Sequence, residues 1–116
     1  EHDQVLAATS HLPHALAFVL VDTLLDMPQK KGVFEFAAGG FRDFTRIASS
    51  HPVMWHDIML ANKPAILSML ASYRSHLDVL EDAMRKDDSE AILALFERAK
   101  AARDEFTELL KTRQKT

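Results

Sequence analysis

Between Gly39 and Ile58 the chain places two adjacent glycines, Arg42, Arg46, His51, His56 and its only tryptophan, Trp55. A guanidinium is planar and offers a fork of N–H donors that fits a carboxylate in a way lysine cannot match. Paired glycines let the backbone come close to a ligand or another helix. An indole supplies an apolar wall with one N–H left to donate. Taken singly, each of these residues is more often structural. Arg42, Asp43 and Arg46 would ordinarily be a solvated ion-pair cluster of little energetic value, and Trp55 would be core. As a group they describe a pocket that grips a small anion beside an apolar body.

A second group lies upstream: His2-Asp3, then Ser10-His11-Leu12-Pro13-His14. His11 and His14 are three apart and share a helical face, whereas His2 is too far along the helix to be fixed to that face. Polar residues bonded to nearby backbone at a kink are the ordinary explanation of such a pair. Metal chemistry is poorly supported. The chain has no Glu-x-x-His, no His-Glu-x-x-His and no cysteine, so a di-iron bundle, a zincin and thiolate sites all lack their ligand sets. No phosphotransfer motif surrounds the histidines.

The elements that must carry these residues read as helices. Only 3 glycines and 4 prolines punctuate 116 residues, too few for a chain of strands and hairpins. Residues 3 to 27 form an apolar pattern with little polar face, as expected of a helix at the centre of a bundle. Pro13 inside it removes a backbone hydrogen bond and predicts a bend that turns His11 and His14 toward the concave side. Met27 to Gly32 breaks the pattern. Phe34, Phe36, Phe41, Phe44 and Ile47 then predict one or two short helices, interrupted or tightly packed at Gly39-Gly40. Ser50-His51-Pro52 reads as a helix start with a hydroxyl cap and an early proline. Asn62-Lys63-Pro64 opens a helix striped by Ile66, Leu70, Tyr73, Leu77, Leu80 and Met84. Asp87 and Glu90, at capping-box spacing, open another, striped by Ile92, Leu95, Ala99, Ala102, Phe106 and Leu109. The expectation is an all-α helical bundle: a long first helix, short middle helices and a C-terminal antiparallel hairpin. Its stripes are wide enough to meet a partner subunit as well as each other.

Composition narrows the function classes. A net charge of −3 gives no basic footprint for nucleic acid. The longest apolar run, Ala15 to Val21, is far short of the ~20 residues of a membrane span, so no membrane role is expected. The absence of cysteine fits a cytoplasmic protein. The sequence begins Glu1-His2-Asp3 with no initiator methionine and is read as one domain, residues 1–116, of a longer chain.

The two motif strings, in this order and separation, resemble the helical C-terminal domain of prephenate dehydrogenases, also called arogenate or cyclohexadienyl dehydrogenases. The likeness is sharpest in His2-Asp3, Ser10 to His14 and Gly39 to Ile58, and generic in the last two helices. It implies an enzyme that oxidises the ring hydroxyl of prephenate or arogenate by hydride transfer, with loss of CO2, on the way to tyrosine. NAD or NADP would be held by an N-terminal domain absent from this chain, which lacks any Gly-x-Gly-x-x-Gly after a strand. The proton acceptor would lie there too, so no catalytic residue is expected here and the isolated chain should be inactive.

Carried over by position, the resemblance implies that Arg46 anchors a substrate carboxylate and that His14 lines the pocket as a polar contact or gate. Trp55 and Ser50 would border the pocket, and Gly39 would lie where the chain passes the ligand. Asp43 would face the pocket or pair with its copy in the neighbouring subunit, while His2 and His11 would support by hydrogen bonding. A homodimer is implied, as is inhibition by tyrosine, which shares the product's ring and side chain. No metal is implied. Two readings compete with this one. A non-enzymatic helical interaction module would use the striped hairpin but has no need of clustered Arg46, Trp55 and His14. The helical domain of another two-domain dehydrogenase would not be expected to combine Ser-His-Leu-Pro-His with Asp-Phe-Thr-Arg.

Overall fold

A computed structural model describes residues 2–115, apart from the side chains of Lys30, Gln114 and Lys115. The described residues form helices and turns without a strand. In order these are α1 (His2–Leu6), a π-helical turn (Ala7–His11), α2 (Leu12–Leu25), α3 (Lys30–Glu35), α4 (Gly39–Thr45), a 3-10 turn (Arg46–Ser49), α5 (Pro52–Ala61), α6 (Lys63–Arg85) and α7 (Ser89–Lys115). The expected all-α class is therefore observed. Contacts gather into two compact units, residues 1–72 and 73–116, a finer division than the single domain read from the sequence.

In the first unit, α1, the π turn and α2 run on as one helical stretch. Leu6 and Leu12, which flank the turn, both keep right-handed helical angles. The turn is the structure's answer to Pro13. A proline has no N–H for the carbonyl four residues back, and its ring crowds that carbonyl. One extra residue in the preceding turn widens it, and the Leu12 N–H now reaches Ala7 O, five residues back. Helix α2 then packs against α3, α4 and the 3-10 turn. His2–Leu25 is long and apolar enough, by length and composition alone, to cross a membrane. Within this unit, however, its His11 and His14 pack on Trp55 of α5.

Three local expectations are corrected. Gly39-Gly40 does not interrupt a helix but begins one, with Ala38 in extended conformation ahead of it. Ser50 is not the cap of α5. Its hydroxyl donates back to Ile47 O at 2.6 Å, closing the 3-10 turn, while His51 takes the capping position and its Nδ1 accepts from the Met54 N–H at 3.4 Å. Pro52 follows at the first position of the helix, as expected. Likewise Asp87 is not the cap of α7. It sits in the left-handed region at φ 53°, ending α6 in the way a glycine usually does. The next residue, Asp88, caps α7 by accepting from the Ala91 N–H at 3.1 Å.

The second unit is the end of α6, a three-residue turn and α7. Tyr73, Leu77 and Leu80 of α6 share an apolar groove with Ala102, Ala99 and Leu95 of α7. The groove thus pairs rising numbers with falling ones, which makes the hairpin antiparallel as expected. Its stripe is only partly covered: Leu80, Ile92 and Leu95 are half-buried, whereas Leu77, Met84, Phe106 and Leu109 are exposed.

The two aspartates of the turn should behave oppositely. Asp88→Ala, losing a cap, is expected to cost about 1 kcal/mol. Asp87→Gly, relieving a left-handed aspartate, should be neutral or stabilising. Thermal unfolding by circular dichroism reads both, and a larger loss at Asp87 would return the cap to that residue.

Candidate functional site

Trp55 is the centre of the site. It is the largest buried side chain, 7% exposed, on the inner face of α5. The π turn and the start of α2 deliver two imidazoles to it. His14 stacks on the indole with centroids 3.7 Å apart and planes inclined by 15°. His11 meets it edge-on at 6.0 Å and 77°. Such aromatic pairs add about 0.5–1.5 kcal/mol beyond the area they bury.

Hydrogen bonds fix the protons on both rings. His14 Nδ1 lies 2.8 Å from Ser10 O. A carbonyl only accepts, so that nitrogen carries the hydrogen, and in the neutral ring Nε2 keeps a lone pair. His11 Nδ1 lies 3.1 Å from the Asn62 Nδ2 amide. The same Nδ2 donates to Asp3 O at 2.9 Å, so the atom facing both partners is the NH2 and not the amide oxygen. His11 Nδ1 therefore accepts, and its hydrogen sits on Nε2. As neutral rings, the two imidazoles would be opposite tautomers.

Trp55 Nε1–H, in contrast, is buried without any hydrogen-bond partner. Leaving a buried donor unpaired costs about 1–3 kcal/mol, and such orphans in a folded protein call for a reason. Beside the indole, Ala15, Phe18, Val19, Pro52, His56 and Met59 line an apolar hollow of about 340 Å³.

The structure thus brings His11, His14 and Trp55 together as a cluster. The remaining expected residues sit elsewhere. Arg46 opens the 3-10 turn that packs on α2, the helix bearing His14. Its side chain is exposed, without a hydrogen bond or ion pair among the described residues, and Arg46 is not in the lining of the Trp55 hollow. Asp43 and His2 are exposed and equally unpaired. Ser50 is half-buried and spends its hydroxyl on Ile47 O. Gly39 would meet only the end of the Arg42 side chain at 3.8 Å if it carried a Cβ, and Gly40 would meet nothing within 4 Å. The packing of this chain does not demand either glycine.

Sequence reasoning missed Asn62 as a site residue, treating it only as a helix opener. It is the only asparagine in the chain and is buried. Its singularity, directly between two helices, was the available signal.

The chain matches the family described as "Prephenate dehydrogenase, dimerization domain" over residues 1–98. It is 43% identical over 105 residues to a prephenate dehydrogenase of Bacillus subtilis, covering 90% of this chain and 28% of that protein. To a cyclohexadienyl dehydrogenase of Zymomonas mobilis it is 40% identical over 104 residues, covering 88% of this chain and 36% of that protein. Among solved structures, prephenate dehydrogenase from Aquifex aeolicus in complex with hydroxyphenyl propionate and NAD+ superposes with a TM-score of 0.84 at 40% identity, covering 90% of this chain and 37% of that one. The chain spans about a third of the length of these relatives.

If the indole is held mainly by its stacked ring and hindered by its orphan N–H, Trp55→Phe should cost clearly less than Trp55→Ala, for which about 3–5 kcal/mol is expected. Urea unfolding of both variants measures this. Equal losses would mean that the second ring and its N–H, not the stack, carry the stability.

Proposed function

The chain belongs to the prephenate dehydrogenase dimerisation-domain family, and from that premise we propose that it is the substrate-binding and dimerising C-terminal part of a cytoplasmic enzyme that oxidatively decarboxylates prephenate or arogenate. The observation that carries the reading is the buried indole with its unpartnered N–H, in contact with two imidazoles and bordered by an apolar hollow. A small ring with polar substituents answers both needs at once. It fills the hollow and, where binding uncovers the buried indole N–H, supplies an acceptor that a ligand of purely apolar surface lacks.

The residues divide the work accordingly. Arg46 has its guanidinium free for the ligand, and a carboxylate held by a fork of N–H donors is fixed in direction as well as place. His14 and Trp55 form the wall against which the ring orients. Holding the substrate in one pose lowers the entropic part of the barrier. Gly39 and Ser50 border the same region of chain, and Asp43, exposed and unpaired, is available to the pocket or to a second copy.

A nicotinamide cofactor does not fit the residues present. There is no glycine-rich turn between strand and helix, and the described residues contain no strand at all. NAD or NADP would bind a part of the parent protein outside this sequence. Tyrosine, similar in ring and side chain to the product, would compete for the same hollow.

The dimeric state is supported by what the chain leaves uncovered. In the second unit Ala83 is the only buried apolar residue among those described, while Leu77, Leu93, Phe96, Phe106 and Leu109 are exposed. Two helices with so little interior are not stable alone, because small units bury too small a share of their surface. An exposed apolar stripe of this kind marks an interaction surface, and a second copy of the same hairpin is self-complementary to it.

Two measurements test the proposal. Light scattering at tens of micromolar should give a homodimer, and a strictly monomeric chain would remove the assembly role. In the parent enzyme, Arg46→Ala should raise KM for prephenate by about 10- to 150-fold, the loss of one charge-assisted contact, with the KM for NAD(P) nearly unchanged. Unaltered prephenate kinetics would remove the anchor.

A further inference from the structure

Every polar contact of the Asn62 side chain points back into the site. Its backbone N–H donates to Ile58 O at 3.0 Å, and its carbonyl accepts from the Ile66 N–H at 3.1 Å, so the backbone closes α5 and opens α6. The side-chain Nδ2 then spends one hydrogen on Asp3 O and the other on His11 Nδ1. An asparagine can ordinarily turn its amide over and offer oxygen instead of nitrogen. Here the turned form would set two oxygens facing each other at the Asp3 carbonyl, so only one orientation is satisfied. A backbone carbonyl 59 residues away thus dictates which atom of Asn62 meets His11.

We infer that Asn62 is a positioning residue for substrate binding: it locks His11 as the Nε2–H tautomer, so that the site presents a donor on His11 beside an acceptor on His14. This inference rests on the reading of the Trp55 cluster as the substrate pocket. Without the amide, His11 would be free to exchange its proton between nitrogens, and part of its neutral population would offer the wrong atom. Neither Nε2 has a partner among the described residues. The two rings thus add one donor and one acceptor beside an indole whose own N–H is buried.

The test uses the full parent enzyme labelled with 15N-histidine, with His11 and His14 identified by loss of their signals in single variants. In the wild type without substrate, His11 should show a protonated Nε2 and a bare Nδ1, and His14 the reverse. Asn62→Asp replaces the donor by an acceptor of the same shape and should move the His11 proton to Nδ1. In steady-state kinetics the same variant should lower kcat/KM for prephenate on the order of tenfold or more, leaving KM for NAD(P) unchanged.

A wild-type His11 protonated on Nδ1, a tautomer unmoved in Asn62→Asp, or a moved tautomer with unaltered prephenate kinetics would each overturn the inference. Should Asn62→Asp fail to fold, two variants of the ring itself decide. His11→Gln places an N–H near the Nε2 position and should retain substrate affinity, whereas His11→Asn, which reaches only the Nδ1 position, should lose it. The opposite order would overturn the inference. Failure of the pocket reading is separable, since it would leave the unliganded tautomers as stated while Arg46→Ala left KM untouched.

Discussion

Pro13 has no hydrogen to give, and the site follows from that deficit. A regular helix through this position would press the pyrrolidine ring against the carbonyl four residues back. The chain instead takes a π turn over Ala7–His11, and short π segments recur at functional sites because they re-aim side chains without ending the helix. His11 is the last residue of the turn and His14 lies in the first turn beyond it. One imidazole therefore meets Trp55 on edge and the other face-on. The two histidines are neighbours in sequence yet unlike in geometry, proton placement and partner.

The site is held together by contacts of very different range. Ser10 to His14 is one turn of helix, and Ser50 to Ile47 is a single 3-10 bond. Asn62, in contrast, joins the α5–α6 corner to both the first turn of α1 and the end of the π turn. These are the bonds that close the unit, and they are few. Buried apolar residues in the first unit come down to Ala7, Leu12, Ala17, Trp55 and Ile66. The interior is a thin one. Trp55 is its largest member and also carries an unpaired donor, so stability and binding draw on the same side chain.

Much of this was legible in the sequence, and the misses have physical reasons. Composition and the scarcity of glycine and proline gave helices, and the alternating apolar spacing gave the antiparallel hairpin. The types of residue between Gly39 and Ile58, with the Ser10 to His14 string, marked the right region and carried the resemblance. What was lost was register. An inserted residue rotates everything before it by about 100° relative to everything after it, so hydrophobic periodicity alone cannot place His2 against His11. Both caps were misread by one residue, Ser50 for His51 and Asp87 for Asp88, because capping depends on which backbone turns extended and several neighbours had suitable side chains. Asn62 was overlooked because its partners lie 51 and 59 residues away, beyond any local pattern. The paired glycines drew attention for a close approach that this chain's own atoms do not make.

Trp55 has one more property that arises from its isolation. It is the single tryptophan in the sequence, and Tyr73, the single tyrosine, lies in the other unit. Light absorbed at the red edge of the protein band is therefore absorbed by one indole, in the site itself. That indole lies against an imidazole, and its N–H has nothing to relax toward. The emission of this chain is a private channel from the pocket: blue when the indole is dry and stacked, and altered in colour and lifetime when an acceptor arrives.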